Sequence, residues 1–253
     1  MITSPPLPPN PPSQLQQVMD LSAQPGQAAA PFKGLRGQAQ EQAAYALGAQ
    51  AGESWRYDRI DHELNQHNSM LDALYNFIPL LLNNERVAPP VVVQGDKNLK
   101  LESPDSAEGA LVTWEIIAPA RIITTPPNWR AYLIERFTYT NSVNPGLLPK
   151  DSAERALWKA AVWHGWQDGV AEALHIYDLN LARLTRDFTG MARFHLLAEE
   201  GMVSMPHLAN GNLGVVIERN RLVVGAHIYR ISAPAQWQEP GQWKPQPGLP
   251  LNP

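Results

Sequence analysis

The side chains that could carry chemistry here are seven histidines and 24 carboxylates. Their spacing decides what they can do. His62 and His67 lie five apart, a step that takes them off a common helix face. His164 and Asp168 lie four apart, one helical turn, and could share a metal ion or a hydrogen bond. No third ligand follows nearby, and the segment is rich in tryptophan, so a surface polar pair is expected. His175 and His195 flank an apolar seam. His207 and His227 fall in a β region, where structural hydrogen bonds are expected. Asp58, Asp61 and Glu63 are read at a helix N-terminus, where the macrodipole favours negative charge. Glu199-Glu200 is a second carboxylate pair. A glycosidase pair would be neighbours in space only, so that option stays open. The chain has no G-x-S-x-G, H-E-x-x-H, G-x-x-x-x-G-K or G-x-G-x-x-G. It has no cysteine, which removes thiolate ligands, disulfides and cysteine nucleophiles. No catalytic residue, cofactor or metal is therefore expected.

Composition narrows the class further. At 253 residues the chain could form one large domain or two small ones. A 44% hydrophobic content with eight tryptophans can build a core. A net charge of −4 argues against nucleic acid as a direct partner, which would call for a basic face. No apolar run approaches the length of a membrane span.

The elements that must position these residues follow from periodicity. The Ala/Gln-rich stretch 38–50 is expected to be helical, with Ala39, Ala43, Ala46 and Leu47 packing closely on another helix. Residues 57–77 form a second expected helix, with Ile60, Leu64, Leu71, Leu74 and Ile78 on one face and Pro79 ending it. Residues 89–94, with Val91-Val92-Val93, open a β region followed by an expected turn at Gly95-Asp96. Residues 99–102, 111–117 and 122–124 are further strand candidates. Asp151 or Ser152 is expected to cap a long helix with Glu154 in its first turn. From Val170 to Met191 its apolar residues step by 4, 3, 4, 3, 4, 3, a coiled-coil-like seam. A helix ending before Gly201 would be about 70 Å long, against a radius of gyration of about 18 Å for a compact chain of this size. A break near Gly165/Gly169 or Gly190 is one way out; an elongated protein is the other. Residues 213–219 and 222–231 read as a hairpin turning at Asn220, with Val215, Ile217, Val223, Ile228, Tyr229 and Ile231 giving it one buried face.

The ends differ from the middle. Residues 1–31 hold eight prolines and 234–253 hold six. The PPLPPNPP run is expected to be an extended polyproline spacer, with a short helix at 14–21. The expected organisation is a flexible arm at 1–31, one α+β domain at 32–232 and a Pro/Trp-rich tail at 233–253. The domain is a helical N-terminal half and one long helix packed on a small mixed or antiparallel sheet, with a C-terminal β-hairpin. The run LWKAAVWHGW (157–166) could be an aromatic ligand platform, but packing into a core is the plainer reading. Trp237 and Trp243 have little local core to join. They are expected to dock onto the parent domain or onto a partner and are the candidate partner-binding residues, since buried aromatics anchor interfaces.

Residues 120–133, ARIITTPPNWRAYL, read as a buried strand at 121–124 that turns on Pro126-Pro127 into a helix over 128–137. Pro127 suits the first helical position and disfavours helix at Pro126. Trp129 and Leu133 would face the core together. No nucleophile–base pair lies in it.

Several blocks, in order and spacing, resemble the DotC family of type IVB secretion and IncI-type conjugation systems, which includes TraI lipoproteins. They are ALGAQAGESWR (46–56), PPVVVQGD (89–96), ARIITTPPNWRAYL (120–133), WHGWQDG (163–169), LNLARLTRDFTGM (179–191) and MVSMPHLANGNLGVVI (202–217), leading to the ISAP-Q-W…WKP ending (231–245). The resemblance implies a non-enzymatic structural role at the periplasmic face of the outer membrane. There a DotD-like lipoprotein and a DotH-like subunit would be its partners in a ring-shaped core complex. The family's lipobox cysteine is not in this chain, so lipid anchoring would need a cysteine ahead of residue 1. Two alternatives are a periplasmic peptide- or ligand-binding module and an accessory cell-wall hydrolase.

Overall fold

The computed structural model describes residues 11–22, 33–103, 106–140 and 142–244. Its elements are α1 (Ser13–Met19), α2 (Lys33–Gln66), α3 (Asn68–Leu74), β1 (Val87–Ala88), β2 (Val91–Ser103), β3 (Ser106–Ala118), β4 (Arg121–Ile122), α4 (Arg130–Leu133), α5 (Ser152–Glu199), β5 (His207–Glu218) and β6 (Arg221–Ala233). The strands form three antiparallel pairs, β1–β4, β2–β3 and β5–β6. The fold is α+β, helices beside small antiparallel sheets, as the sequence indicates. The sequence reads as one domain from 32 to 232; the chain groups into two compact units, each built from two segments. Unit 1 is Met1–Met70 with Tyr132–Leu181, and unit 2 is Leu71–Ala131 with Ala182–Pro253. The proline run at 5–12 lies mostly outside the described residues, as does the tail beyond Lys244.

In unit 1 the two expected helices of the N-terminal half are one. α2 runs unbroken through residues 51–56, because its buried stripe never lapses: Gln40, Ala44, Leu47, Ala51, Ser54, Tyr57, Ile60 and Leu64 recur every three or four residues. The stripe is rotated from the expected one, with Ala44 buried and Ala46 exposed. Asp58, Asp61 and Glu63 consequently sit inside a helix, not at an N-terminus. Burial pushes the Asp61 carboxyl above its usual range, Asp58 adds to this, and Arg136 opposes it.

α2 and α5 touch through glycines. A Cβ on Gly48 or Gly52 would strike the Val162 or Trp166 carbonyl; one on Gly165 or Gly169 would strike the Tyr45 or Ala49 carbonyl. Two G-x-x-x-G pairs face each other, so backbone lies on backbone. These glycines do not break α5, which is one helix from Ser152 to Glu199. An interior glycine costs about 1 kcal/mol in helix propensity, and here close packing opposes that cost. The same contact shifts the seam: Ala173 is fully buried where Leu174 was expected, and Leu174 is exposed. Around the contact pack Leu15, Val18 and Met19 of α1, Leu47 and Ala51 of α2, and Trp158, Val162 and Trp166 of α5. The Trp158 indole N–H donates to the Val18 carbonyl at 2.9 Å. The tryptophan run is therefore core: Trp158 and Trp166 are buried.

The ends of α5 are made as the sequence indicates. The Asp151 carboxylate accepts the Glu154 backbone N–H at 2.8 Å. At the other end Gly201 takes φ +74. Its N–H reaches the Ala198 carbonyl and the Met202 N–H reaches Leu197, a Schellman closure that only glycine makes without strain.

In unit 2, β2 and β3 form one long hairpin. Gly95 pairs with Thr113 and Asp96 with Val112, so the expected turn at 95–96 lies mid-strand. β4 pairs with β1, but Arg121 and Ile122 are both exposed, so the expected buried strand is an edge whose buried partners are Val87 and Ala88. α4 is a single turn instead of a helix over 128–137. In unit 1 the chain beyond it packs irregularly, with Phe137 against the Tyr57 ring at 4.7 Å and its carbonyl accepting from Ser54 at 2.9 Å. The unit 2 core gathers Leu82, Val87, Val92, Phe194, Leu197, Met202 and Val203. Gly190 admits the Val91 side chain and the Val92 backbone, and Arg193 donates to the Val92 carbonyl at 2.8 Å.

β5 and β6 form the expected C-terminal hairpin, longer than its apolar pattern and reversing at Arg219-Asn220, where Arg219 has φ 36. The pair Leu208–Ile231 roots it on the unit 2 core. Of the residues expected on one buried face, Val215 and Ile228 are 59% and 55% exposed, Tyr229 and Ile231 are half-buried, and the side chains of Ile217 and Val223 lie outside the described residues; Leu213, Leu222 and Val224 are exposed as well.

Replacing Gly169 by valine places side-chain carbons against the Ala49 carbonyl. It should destabilise the protein by about 3 kcal/mol or more, since overpacking against backbone cannot relax by a rotamer change. Gly37→Ala, where a Cβ meets nothing within 4 Å, should stabilise by about 0.5–1 kcal/mol. Denaturant unfolding of both variants measures the contrast.

Candidate functional site

The residues singled out by chemistry are dispersed. His62 exchanges a hydrogen bond with Gln66 at 3.0 Å on the surface of α2. His164 and Asp168 are exposed on α5, and Asp168 accepts the Tyr45 hydroxyl proton at 2.7 Å. His175 is exposed. His195 meets the Leu80 carbonyl at 2.7 Å, and His207 meets Ser232 at 2.7 Å. His227 meets Asn210 at 3.3 Å and stacks on Tyr229. Among the described residues no three His, Cys, Asp or Glu side chains come together in a geometry that could hold a metal ion.

The T-T-P-P-N-W-R corner, at 124–130, is built around a residue sequence reading missed. Asp72, on α3, accepts from the Trp129 indole N–H at 2.7 Å and from Arg130 at 2.6 and 3.2 Å. The Arg130 guanidinium lies 4.4 Å from the Trp129 ring, a cation–π contact. Asn128 accepts the Arg130 backbone N–H at 2.9 Å, which starts α4. Trp129 itself is buried. The hydrogen bonds from Arg130 and Trp129 hold the Asp72 carboxyl below its usual range, and Asp72 in turn pushes Arg130 up. A shallow recess lies over this corner, between Tyr75, Ile78 and the prolines. The arrangement fixes a loop and leaves no polar group there poised as a general acid or base. Only the D-W-R residue types could have hinted at it; the 57 residues between Asp72 and Trp129 hide the pairing.

The two candidate partner-binding tryptophans part company. The tail is stitched onto unit 2 by backbone bonds: Ser204 N–H to Gln236 at 2.8 Å, Gln238 N–H to Met202 at 2.9 Å and Lys244 N–H to Glu200 at 2.7 Å. Gly201, which closes α5, also lets the Gln242 carbonyl approach. Trp243 packs partly buried on the unit 2 core and donates its indole N–H to the Gln238 carbonyl at 2.9 Å. Trp237 pairs with Val203 through its backbone and keeps 43% of its side chain exposed.

The β5–β6 hairpin displays several apolar side chains to solvent. Val215 pairs with Val224, and the next pair on that face is Ile217–Leu222. Successive residues alternate faces, so Val215, Leu222 and Val224 stand together. Polar Asn210, Asn212, His227 and Tyr229 occupy paired positions nearer the root. At the root the Arg86 guanidinium lies over the Tyr229 ring at 4.7 Å and bonds its hydroxyl. Val215, Leu222 and Val224 thus leave a solvent-facing apolar strip on the hairpin.

The chain thus joins an α+β fold to hydrogen-bonded polar clusters and an exposed apolar ribbon. Residues 34–245 match the TraI family of type IV secretory system proteins, described as conjugal DNA-protein transfer. The match covers most of the chain, which belongs to that family; it is a type IV secretion component of a conjugation system. No curated protein matches the chain.

Asp72 gives a pH signature. Its carboxyl is depressed in the folded state, so its stabilisation is present above the unfolded value of about 4. That contribution is lost as the pH falls through the folded value. An Asp72→Asn variant should unfold at a lower temperature at pH 7 and should lose part of the wild type's drop in stability below pH 4. Thermal melts followed by tryptophan emission across pH 2–7 test both.

Proposed function

We propose that this chain is a non-enzymatic structural subunit of the outer-membrane core complex of a type IVB-like conjugation machine, the role of the DotC proteins it resembles. Its partners in this reading are a DotD-like lipoprotein and a DotH-like subunit, and it lies on the periplasmic face of the outer membrane, held by a lipid on an upstream cysteine. Membership of the conjugal transfer family supports the setting. The observation that carries the structural role is the exposed apolar hairpin. Two-stranded ribbons are marginal alone in water. This one presents open edges and valine and leucine side chains, which a partner subunit would cover. The polar groups favour the same reading: the histidines of unit 2 and Asp72 are spent on carbonyls, hydroxyls, amides and an indole.

The experiment is substitution on the hairpin of the full chain. Leu222→Asn with Val224→Asn changes two exposed side chains, so the melting temperature should stay within a few degrees of wild type. Co-purification of the core complex and plasmid transfer should fall to the level of a strain lacking the gene. Normal core assembly and transfer in the deletion strain itself would overturn the structural role.

A further inference from the structure

The β5–β6 hairpin is a sheet of two strands, so among the described residues each strand keeps one edge without a ladder partner. At the root the hairpin is occupied: Leu208 and Ile231 pack on the unit 2 core, and the Arg86 guanidinium lies over Tyr229. Further out, the usual devices that blunt a sheet edge are missing. Residues 207–217 and 222–229 hold no Lys, Arg, Asp, Glu or proline. The register shifts beside Gly214 offset one another, because Leu213 on β5 and Gly225 on β6 both stand outside the register. Asn212 with His227 and Val215 with Val224 therefore keep one register on either side of them.

The two strands also match each other along their length. One face carries Gly211 opposite Ile228 and Val215 opposite Val224; the other carries Asn210 opposite Tyr229 and Asn212 opposite His227. Apolar meets apolar on the first face, and polar meets polar on the second. Successive residues of an antiparallel strand turn their N–H and C=O groups to opposite sides. Half of the backbone groups of β5 and β6 are thus spent inside the hairpin, and the other half face outward. The strand that fits the outer edge of β6 is β5, and the strand that fits the outer edge of β5 is β6. A second copy of the chain supplies both.

We propose that β6 of one copy pairs with β5 of the next, antiparallel and in the register that the hairpin uses within one copy. Val224 then stands beside Val215 of the neighbour, and His227 beside its Asn212. The contact joins unlike edges, so it repeats from copy to copy and closes into a ring where the rotation allows. This names a second copy as the subunit that covers the hairpin in the assembly reading, and it rests on that reading.

The test uses the absence of native cysteine. Asn212→Cys and His227→Cys, both at exposed positions, are placed in two full chains with different tags and produced together in cells that make the whole core complex. Oxidation with copper–phenanthroline should join the two tags in one disulfide-linked dimer. His227→Cys combined with Val215→Cys is out of register and should give at least about tenfold less product, since Cα atoms more than about 7 Å apart are not bridged. Asn212→Cys in both chains should give as little. Val215→Cys with Val224→Cys, exposed on the other face, repeats the test should the first pair disturb the fold. Absence of the in-register dimer from both pairs would assign the edges to a different subunit and sink the proposal, as would equal yields in and out of register. Either result leaves the structural role standing, because that role is tested by assembly and plasmid transfer in the deletion strain.

Discussion

The structure depends on backbone meeting backbone along α5. At Gly165 and Gly169 the carbonyls of α2 lie where a side chain would otherwise be, and α2 returns the contact through Gly48 and Gly52. At Gly190 the Val91 side chain, with the Val92 backbone behind it, takes that space in the second unit. Close approach multiplies weak dispersion contacts and leaves little room for adjustment. It also dictates what surrounds it. Large side chains are displaced to the flanks, so Trp158 and Trp166 bracket the contact in unit 1 while Ala173 takes the buried position next in line. The helix keeps its length despite three glycines because each one is filled from outside.

Polar groups then pin what the glycines bring close. Trp158 ties α1 to α5, Asp72 ties the corner to α3, and Arg193 ties α5 to β2. Each of these bonds joins residues far apart in sequence, and each uses a side chain whose bulk is buried or half-buried. Such groups are costly when unpaired, so they select one arrangement as well as holding it. His195 follows the same pattern, half-buried on α5 and meeting the Leu80 carbonyl at 2.7 Å.

Local signals were legible in the sequence. Asp151 and Glu154 marked the start of α5, Gly201 its end, and Asn220 the reversal of the last hairpin. Each rests on the intrinsic preferences of a few adjacent residues. The glycines of α5 were ambiguous for a physical reason: propensity records what a glycine costs in a helix, not which carbonyl lies opposite it. Gly95-Asp96 misled in the same way, being turn residues accommodated mid-strand by a partner some 18 positions away. The hairpin's alternation correctly gave β structure but could not say what covers the apolar side, because periodicity describes the element and not its neighbour. Of the two tail tryptophans, composition suggested docking for both; only Trp243 has the Gln238 carbonyl and the unit 2 core within reach. Asp72 carried no local signal, since its importance lies in what stands opposite it.

The docked α1 changes how far this protein can reach from a fixed point. A proline-rich leader suggests a long free spacer, but Leu15 and Val18 are fully buried and Trp158 grips the Val18 carbonyl. The described chain therefore meets unit 1 already at α1, ahead of the start of α2. About twenty residues are taken out of the leash, on the order of 70 Å of extended chain. The seven-residue helix α1 therefore sets the point at which the chain ahead of it leaves unit 1.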